Sequence, residues 1–260
     1  CEQEVDVIFL NISYDLLKND FENVKAKVLA LPTNTPVMID VKGGYGFFYS
    51  SELSDAVINT SVDNAAVDEL IKAMRQKNLY LIARFPAFQD YHYGLNHVPS
   101  GIPFTGGGGA LWMDDDRCYW LKPRDGGTMG YLTSIILELR GLGFNEVVFT
   151  DFCFPPTEDI LYEGDKTAVL NETAEHLVYN LATETFCVSF LCNEPGFVLP
   201  EGRTRLYRDK VDASMAQSEA AAMAVPDTRI NLVYLTEAND TRFDAFGVLR
   251  VGASITIGAQ

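Results

Sequence analysis

The sequence predicts an α/β fold, a (β/α)8 TIM barrel with room for irregularity in its C-terminal half, and three observations carry that expectation. Eight short β-rich runs alternate with stretches of helical periodicity, the pattern of a parallel sheet wrapped by helices. The 260 residues match the roughly 250 that such a barrel needs. No repeat, low-complexity tract or Pro/Ser-rich linker divides the chain, so residues 1–260 read as a single domain. A doubly wound open sheet, which shows the same alternation, is the main alternative.

In order, strands are expected at Val5–Ile12, Pro36–Val41, Leu79–Arg84, Glu146–Phe152, Phe186–Cys192, Lys210–Met215, Arg229–Leu235 and Phe246–Val251. Each is a short run rich in β-branched or aromatic residues. Helices are expected between them at Tyr14–Leu31, Asn64–Lys77, Met129–Leu142, Lys166–Ala182 and Gln217–Ala224. Within Asn64–Lys77, Val67, Leu70, Ile71 and Met74 recur at helical spacing and form one inward stripe. The connection from Phe85 to Thr128 is the one compositional break: from Phe85 through Trp120 its aromatics run at about twice the chain's 12%, and it holds Gly106–Gly109 and the Asp114–Asp116 triplet. Connections this long in a compact domain are usually functional, and in a barrel this one lies over the C-terminal mouth of the strands.

The charge excludes several classes. With 20 basic against 36 acidic residues, the net charge is −16. Such a chain repels phosphate backbones and anionic lipid surfaces unless it concentrates a basic patch, and no run of Lys or Arg exceeds a pair. Nucleic acid is not an expected partner. The apolar runs are strand-length, far short of the ~20 residues that cross a bilayer. The chain opens at Cys1 with no initiator Met, as a processed form or a fragment would; a leading Cys is also what lipoprotein processing leaves, but strand-like residues from Val5 leave almost no tether. The five cysteines follow no C-x-x-C spacing and the three histidines make no H-x-x-x-H pair. A zinc site, a disulfide framework and a metal cofactor are therefore not expected.

Barrel enzymes draw their chemistry from the C-terminal ends of several strands. The polar residues there are Asn11, Asp40, Lys42, Arg84, Thr150, Asp151, Asn193, Glu194, Gln217 and Glu237. Four carboxylates, Asp40, Asp151, Glu194 and Glu237, would converge on one mouth. Glycoside hydrolysis needs two carboxyls, ~5 Å apart for retention or ~6.5–9.5 Å for inversion, one protonated and one ionised. Asp40 interrupts the apolar run 37–41, and a charge there needs a partner such as Lys42 or Arg84. Each of these carboxylates also has the simpler use of capping a helix or pairing with a cation. Gly43-Gly44-Tyr45-Gly46 lacks the G-x-G-x-x-G spacing and Gly106–Gly109 lacks a following Gly-Lys-Ser/Thr, so neither binds a nucleotide phosphate; no cofactor is expected. Trp112, Trp120, Tyr91 and Tyr93 could stack on sugar rings or pack the connection down. Cys153 has no activating His at a neighbouring strand end, although His92 or His97 of the long connection could reach over, and reads as a buried thiol.

Four stretches in one order carry a resemblance: Val37–Gly46 (VMIDVKGGYG), Leu79–Asp90 (LYLIARFPAFQD), Ala110–Pro123 (ALWMDDDRCYWLKP) and Leu142–Pro155 (LGFNEVVFTDFCFP). Together they resemble the bacterial family known as putative glycosyl hydrolase domains, with residues 211–215 echoing its sixth strand. The resemblance implies a (β/α)8 barrel related to carbohydrate-active enzymes. It carries over Asp40 and Lys42 in Asp-Val-Lys, Arg84 in Ile-Ala-Arg, Asp90 after it, and Trp112 with Trp120. The chain departs from the family where Phe-Asp-Tyr-x-Arg-Phe-Pro becomes Phe149–Pro155: Thr150 stands for Asp, Cys153 stands for Arg, and Asp151 falls one position along. Trp-x-Asp-Pro likewise becomes Trp120-Leu121-Lys122-Pro123.

The expected function is therefore a glycoside hydrolase or a related carbohydrate-active barrel. Asp151, Glu194 and Asp40 are the catalytic candidates. Lys42, Arg84, Asp90, Tyr45, Trp112, Trp120 and Glu237 are the substrate-binding candidates, with a carbohydrate as substrate or ligand. The alternative is a catalytically silent barrel that binds glycan or serves a surface assembly, motivated by Thr150, Cys153 and Lys122. A third, Schiff-base chemistry on Lys42, needs an unprotonated amine. A polysaccharide substrate places the protein outside the cytoplasm or on the surface of a bacterium.

Overall fold

The computed structural model of the chain describes residues 6–236, apart from 211, 224 and 229, together with 248–251; at 6–10, 236 and 248–251 it describes the backbone alone. Cys1, Val5, Val211, Ala224, Arg229, Phe246 and the candidate Glu237 lie outside the described residues.

The fold is α/β, built on one parallel sheet that curls on itself. Its strands are β1 (Asp6–Ile12), β2 (Pro36–Asp40), β5 (Tyr80–Pro86), β6 (Glu146–Thr150), β7 (Cys187–Leu191), β8 (Leu206–Arg208), β9 (Leu232–Thr236) and β10 (Val248–Val251). They pair in that order, all parallel, and β10 returns to pair with β1. A separate antiparallel hairpin, β3 (Lys42–Gly43) with β4 (Gly46–Phe47), stands on the C-terminal end of β2. The helices are α1 (Tyr14–Asn19), α2 (Phe21–Leu29), α3 (Asn64–Gln76), α4 (Tyr91–Asn96), α5 (Gly126–Gly141), α6 (Lys166–Leu181) and α7 (Ala216–Ala222).

Register fixes which side chains face the axis, because alternate residues of a strand share a face. Met38, Ile82, Val148, Leu191, Tyr207 and Val233 pack together as the interior core, distinct from the larger cluster between sheet and helices. One repeat toward the C-terminal end, the same faces carry Asp40, Arg84 and Thr150; Asp40 pairs in register with Arg84, and Thr150 with Pro86. One repeat toward the N-terminal end they carry Tyr80 and Glu146. The predicted stripe of α3 is buried throughout: Val67, Leu70, Ile71 and Met74 face the sheet.

Part of the acidity has a structural use. Asp63, Asp90, Asp125 and Asp165 each accept backbone N–H bonds at the first turn of α3, α4, α5 and α6, which satisfies donors that a helix start leaves unpaired.

Several expectations need correction. The single helix expected over Tyr14–Leu31 is two, broken at Asp20, whose backbone leaves the helical region (φ −143, ψ 33). The strand expected at Lys210–Met215 is a turn, in which Asp212 Oδ1 accepts from the N–H and hydroxyl of Ser214 at 2.8 and 2.7 Å; the sixth barrel strand is the earlier Leu206–Arg208. Between β7 and β8, where the sequence predicted no helix, none occurs among the described residues, which is the irregularity allowed for in the C-terminal half. The 85–128 connection is folded, not loose: bridges Gln89–Trp120, Gly101–Leu121, Pro103–Leu111 and Met113–Tyr119 tie it into an antiparallel ladder. Its exposed tip, Gly107–Gly108–Gly109, has positive φ at all three residues. Cys187 is disulfide-bonded, while Cys118, Cys153 and Cys192 are free.

Candidate active site

A cavity of about 300 Å³ opens at the C-terminal ends of β2, β5 and β6. Asp40, Arg84, Thr150 and Asp151 line its polar side, and Tyr14, Tyr45 and Phe48 its aromatic side. This is the end at which barrels of parallel strands place their chemistry.

Asp40 and Arg84 are register partners on neighbouring strands, and Arg84 Nε lies 2.9 Å from Asp40 Oδ1. That contact is ionic and lacks aligned hydrogen-bond geometry, which leaves the Oδ1 lone pairs without a directed donor. The other oxygen, Oδ2, accepts the backbone N–H of Tyr14 at 2.9 Å, at the start of α1. Burial raises the Asp40 carboxyl above its ordinary value, while the Arg84 charge and the Tyr14 N–H pull the other way.

β6 ends at Thr150. On a continuing strand Asp151 would point away from the axis, but its backbone turns into the left-handed region (φ 50) and the residue lines the cavity. Aspartate tolerates that conformation better than most residues, and non-glycine residues held there concentrate at functional sites. Thr150 Oγ1 donates to Asp151 Oδ2 at a long 3.4 Å. The surrounding walls raise the Asp151 carboxyl, opposed by the Thr150 bond and by the nearby Arg84 charge. Arg84 is thus shared between two carboxylates.

The other candidates divide. Lys42 lines the cavity floor, yet its ammonium is 2.7 Å from Asp90 Oδ2 with both side chains almost fully buried. Asp90 also accepts from the Tyr93 N–H and the Tyr131 hydroxyl, and Lys42 lies over the Phe47 and Tyr131 rings. This network holds the hairpin to α4 and α5. Tyr45, 41% exposed, stands on the rim with its hydroxyl donating to Asp116 O at 2.6 Å. Trp120 is buried and gives its indole N–H to Asp114 Oδ2, and Trp112 packs on the core; neither lines the cavity. Glu194 lines a separate cavity of about 500 Å³ between the 192–199 segment and α7, near the Arg208–Glu219 pair. Cys153 lies between the charges of Asp151 and Glu194, and its thiol is pushed up to about 12, first by burial, which disarms it as a nucleophile.

Tyr14, Phe48, Asn59 and Gln89 also line the cavity and were not among the candidates. Tyr14 could have been found, since it follows the N-cap Ser13 directly at the end of β1. Asn59 comes from the irregular segment before α3, where nothing in the sequence signals a binding role. Among the described residues no group of three or more His, Cys, Asp or Glu is placed to hold a metal ion, and no described helix is long and apolar enough to cross a membrane.

A curled parallel sheet with polar side chains gathered at its C-terminal mouth defines the class shared by glycoside hydrolase barrels. The chain belongs to the family described as "Putative glycosyl hydrolase domain", whose profile matches residues 16–184. No curated protein matches it. Among solved structures it is similar to a hypothetical protein from Ruminiclostridium thermocellum ATCC 27405, with TM-score 0.57 and 19% identity over 69% of this chain and 96% of that one. It is also similar to a beta-N-acetylhexosaminidase from Bacteroides fragilis NCTC 9343, with TM-score 0.58 and 10% identity over 90% of this chain and 51% of that one. An alpha-galactosidase from Thermus thermophilus follows, with TM-score 0.52 and 14% identity over 90% and 43%. The chain thus spans about half the length of these two enzymes, and at such identities the likeness is one of fold.

Proposed function

We propose that the chain is a carbohydrate-active (β/α)8 barrel, irregular after β7, that cleaves a glycosidic bond at the β2–β5–β6 mouth. The observation that supports this most is the turn of Asp151 into the cavity beside the Asp40–Arg84 pair. It supplies two carboxyls in different surroundings, and such a difference separates acid from base. Asp151, raised by its walls with only a long bond to Thr150, is the proton donor to the leaving oxygen. Asp40, which burial also raises but which the Arg84 charge and the Tyr14 N–H draw back toward the ionised form, is the ionised partner, and Arg84 orients sugar hydroxyls. Glu194, on its separate cavity, is left out of the pair. A bacterial polysaccharide outside the cytoplasm is the substrate setting.

The test is release of reducing ends from a panel of polysaccharides by the wild-type protein and by Asp151→Asn. A general acid contributes roughly 10²–10⁴-fold, so the variant should lose at least two orders of magnitude with its fold intact. A general acid acts only while protonated. Activity should therefore extend above the ordinary aspartate range and fall as pH rises through the raised Asp151 value. Turnover that Asp151→Asn leaves unchanged would contradict the assignment. A second reading, glycan binding without cleavage, is favoured by one observation: Asp40 is already committed to the scaffold, with Oδ2 accepting the Tyr14 N–H and Oδ1 in ionic contact with Arg84. Glycan binding with no reducing ends released from any substrate would select it.

A further inference from the structure

The rim of the cavity continues outward as a row of aromatic rings. Tyr45 is tilted over Tyr91 at a centroid distance of 5.3 Å, and Tyr91 stacks parallel on Tyr119 at 5.5 Å. His92 sits edge-on to both Tyr45 and Tyr91. The row is built rigidly. The Tyr45 hydroxyl is bonded to Asp116 O, the Tyr91 N–H donates to Gly44 O at 2.8 Å, and a Cβ at Gly44 would lie 2.6 Å from Cys118 Sγ, so only glycine lets the hairpin sit this close to the 114–118 turn.

A ring held in a fixed orientation beside a polar cavity presents a ready-made face, and what fits that face is a surface of C–H groups with hydroxyls at the edges. The cavity, at about 300 Å³, is at the small end of ligand sites and does not hold an extended chain. The turn whose Asp116 carbonyl takes the Tyr45 hydroxyl exposes Asp115, Asp116 and Arg117; its two carboxylates outnumber its one cation, accept hydrogen bonds from hydroxyls and repel anions, as does a chain of net charge −16.

We infer that Tyr45, at the edge of the cavity it lines and backed by Tyr91 and Tyr119, begins a second sugar-binding subsite that continues outward along these rings, and that the ligand is an uncharged oligosaccharide of at least two units, not a single sugar and not a polyuronate. The inference rests on the carbohydrate reading above and adds chain length and charge to it.

Calorimetry in the Asp151→Asn background, with monosaccharides and with di- to hexasaccharides of neutral and uronic series, tests it. Affinity should rise from one unit to two or more in a neutral series. Tyr45→Ala should remove that rise, a loss of about three- to tenfold on the longer ligands, with a smaller loss on monosaccharides, while Tyr119→Ala, outside the cavity lining, should weaken the longer ligands and leave monosaccharides unchanged. Tyr45→Phe, which keeps the ring and drops the bond to Asp116, should retain most of it. A chain-length dependence that survives Tyr45→Ala, or preferential binding of the uronic series, would overturn the subsite while leaving the carbohydrate reading standing. If no saccharide of any length binds either Asp151→Asn or the wild type, both fall together.

Discussion

Lys42 and Asp90 show how a residue can sit at a functional mouth and serve the scaffold. Their side chains are 2% and 3% exposed and 2.7 Å apart. Two charges taken out of water are tolerated only as a pair, and removing one leaves the other uncompensated. Asp90→Ala should therefore cost roughly 3–5 kcal/mol of stability, measured by urea unfolding; a change below about 1 kcal/mol would mean that water reaches Lys42. The same pairing argues against Schiff-base chemistry, because the Lys42 Nζ is almost fully buried and committed to Asp90 at 2.7 Å, with no free approach for a carbonyl carbon. Asp151 presents the converse. On a regular strand, its departure by one position from the family motif would turn it away from the axis, and its left-handed backbone brings it to the cavity regardless.

The hairpin β3–β4 is the element on which the rim depends, since it carries Lys42, Gly44 and Tyr45. Gly46 closes it at φ 117, and a Cβ there would meet Val57 O at 2.3 Å. Gly46→Ala should destabilise by about 2 kcal/mol or more from backbone strain and clash, and should weaken saccharide binding by displacing Tyr45. Gly108→Ala, with open space around its Cβ, should cost only about 1–2 kcal/mol and leave binding unchanged. Equal effects of the two on binding would sever the link between hairpin and site. Hydrophobic runs and period-2 alternation located β2, β5, β6 and β7 to within two residues at either end, and the 3.6-residue stripe located α3. They did not reveal a two-residue hairpin, which has too few residues for any period. They also misplaced β8, because the alternation around Ala213 and Met215 imitates a strand while Asp212 bends the chain into a turn. Trp112 and Trp120 drew attention as the largest aromatics, but size favours burial as much as stacking, and the exposed rings are tyrosines.

Across the whole molecule, the end of the barrel opposite the cavity is closed by a polar plug. Glu146 accepts from Tyr80, Ser189, Arg205 and Tyr207, so one carboxylate joins β5, β6, β7 and the start of β8. Arg205 and Glu146 are fully buried. Glu146→Ala should cost roughly 3–5 kcal/mol by removing the buried carboxylate that pairs with Arg205, with saccharide preference unchanged because the plug is two side-chain layers from the mouth. Altered preference in a folded variant would show that the two ends are coupled. This division, stability at the N-terminal end and chemistry at the C-terminal end, is what the barrel architecture leads one to expect. The account as a whole turns on a sugar occupying the cavity between Asp40, Arg84 and Asp151. A crystal structure of Asp151→Asn soaked with a neutral oligosaccharide tests that directly. One ring should lie within hydrogen-bond distance of Arg84 and position 151, with the next against Tyr45; a saccharide seated instead in the cavity between residues 192–199 and α7 would contradict it.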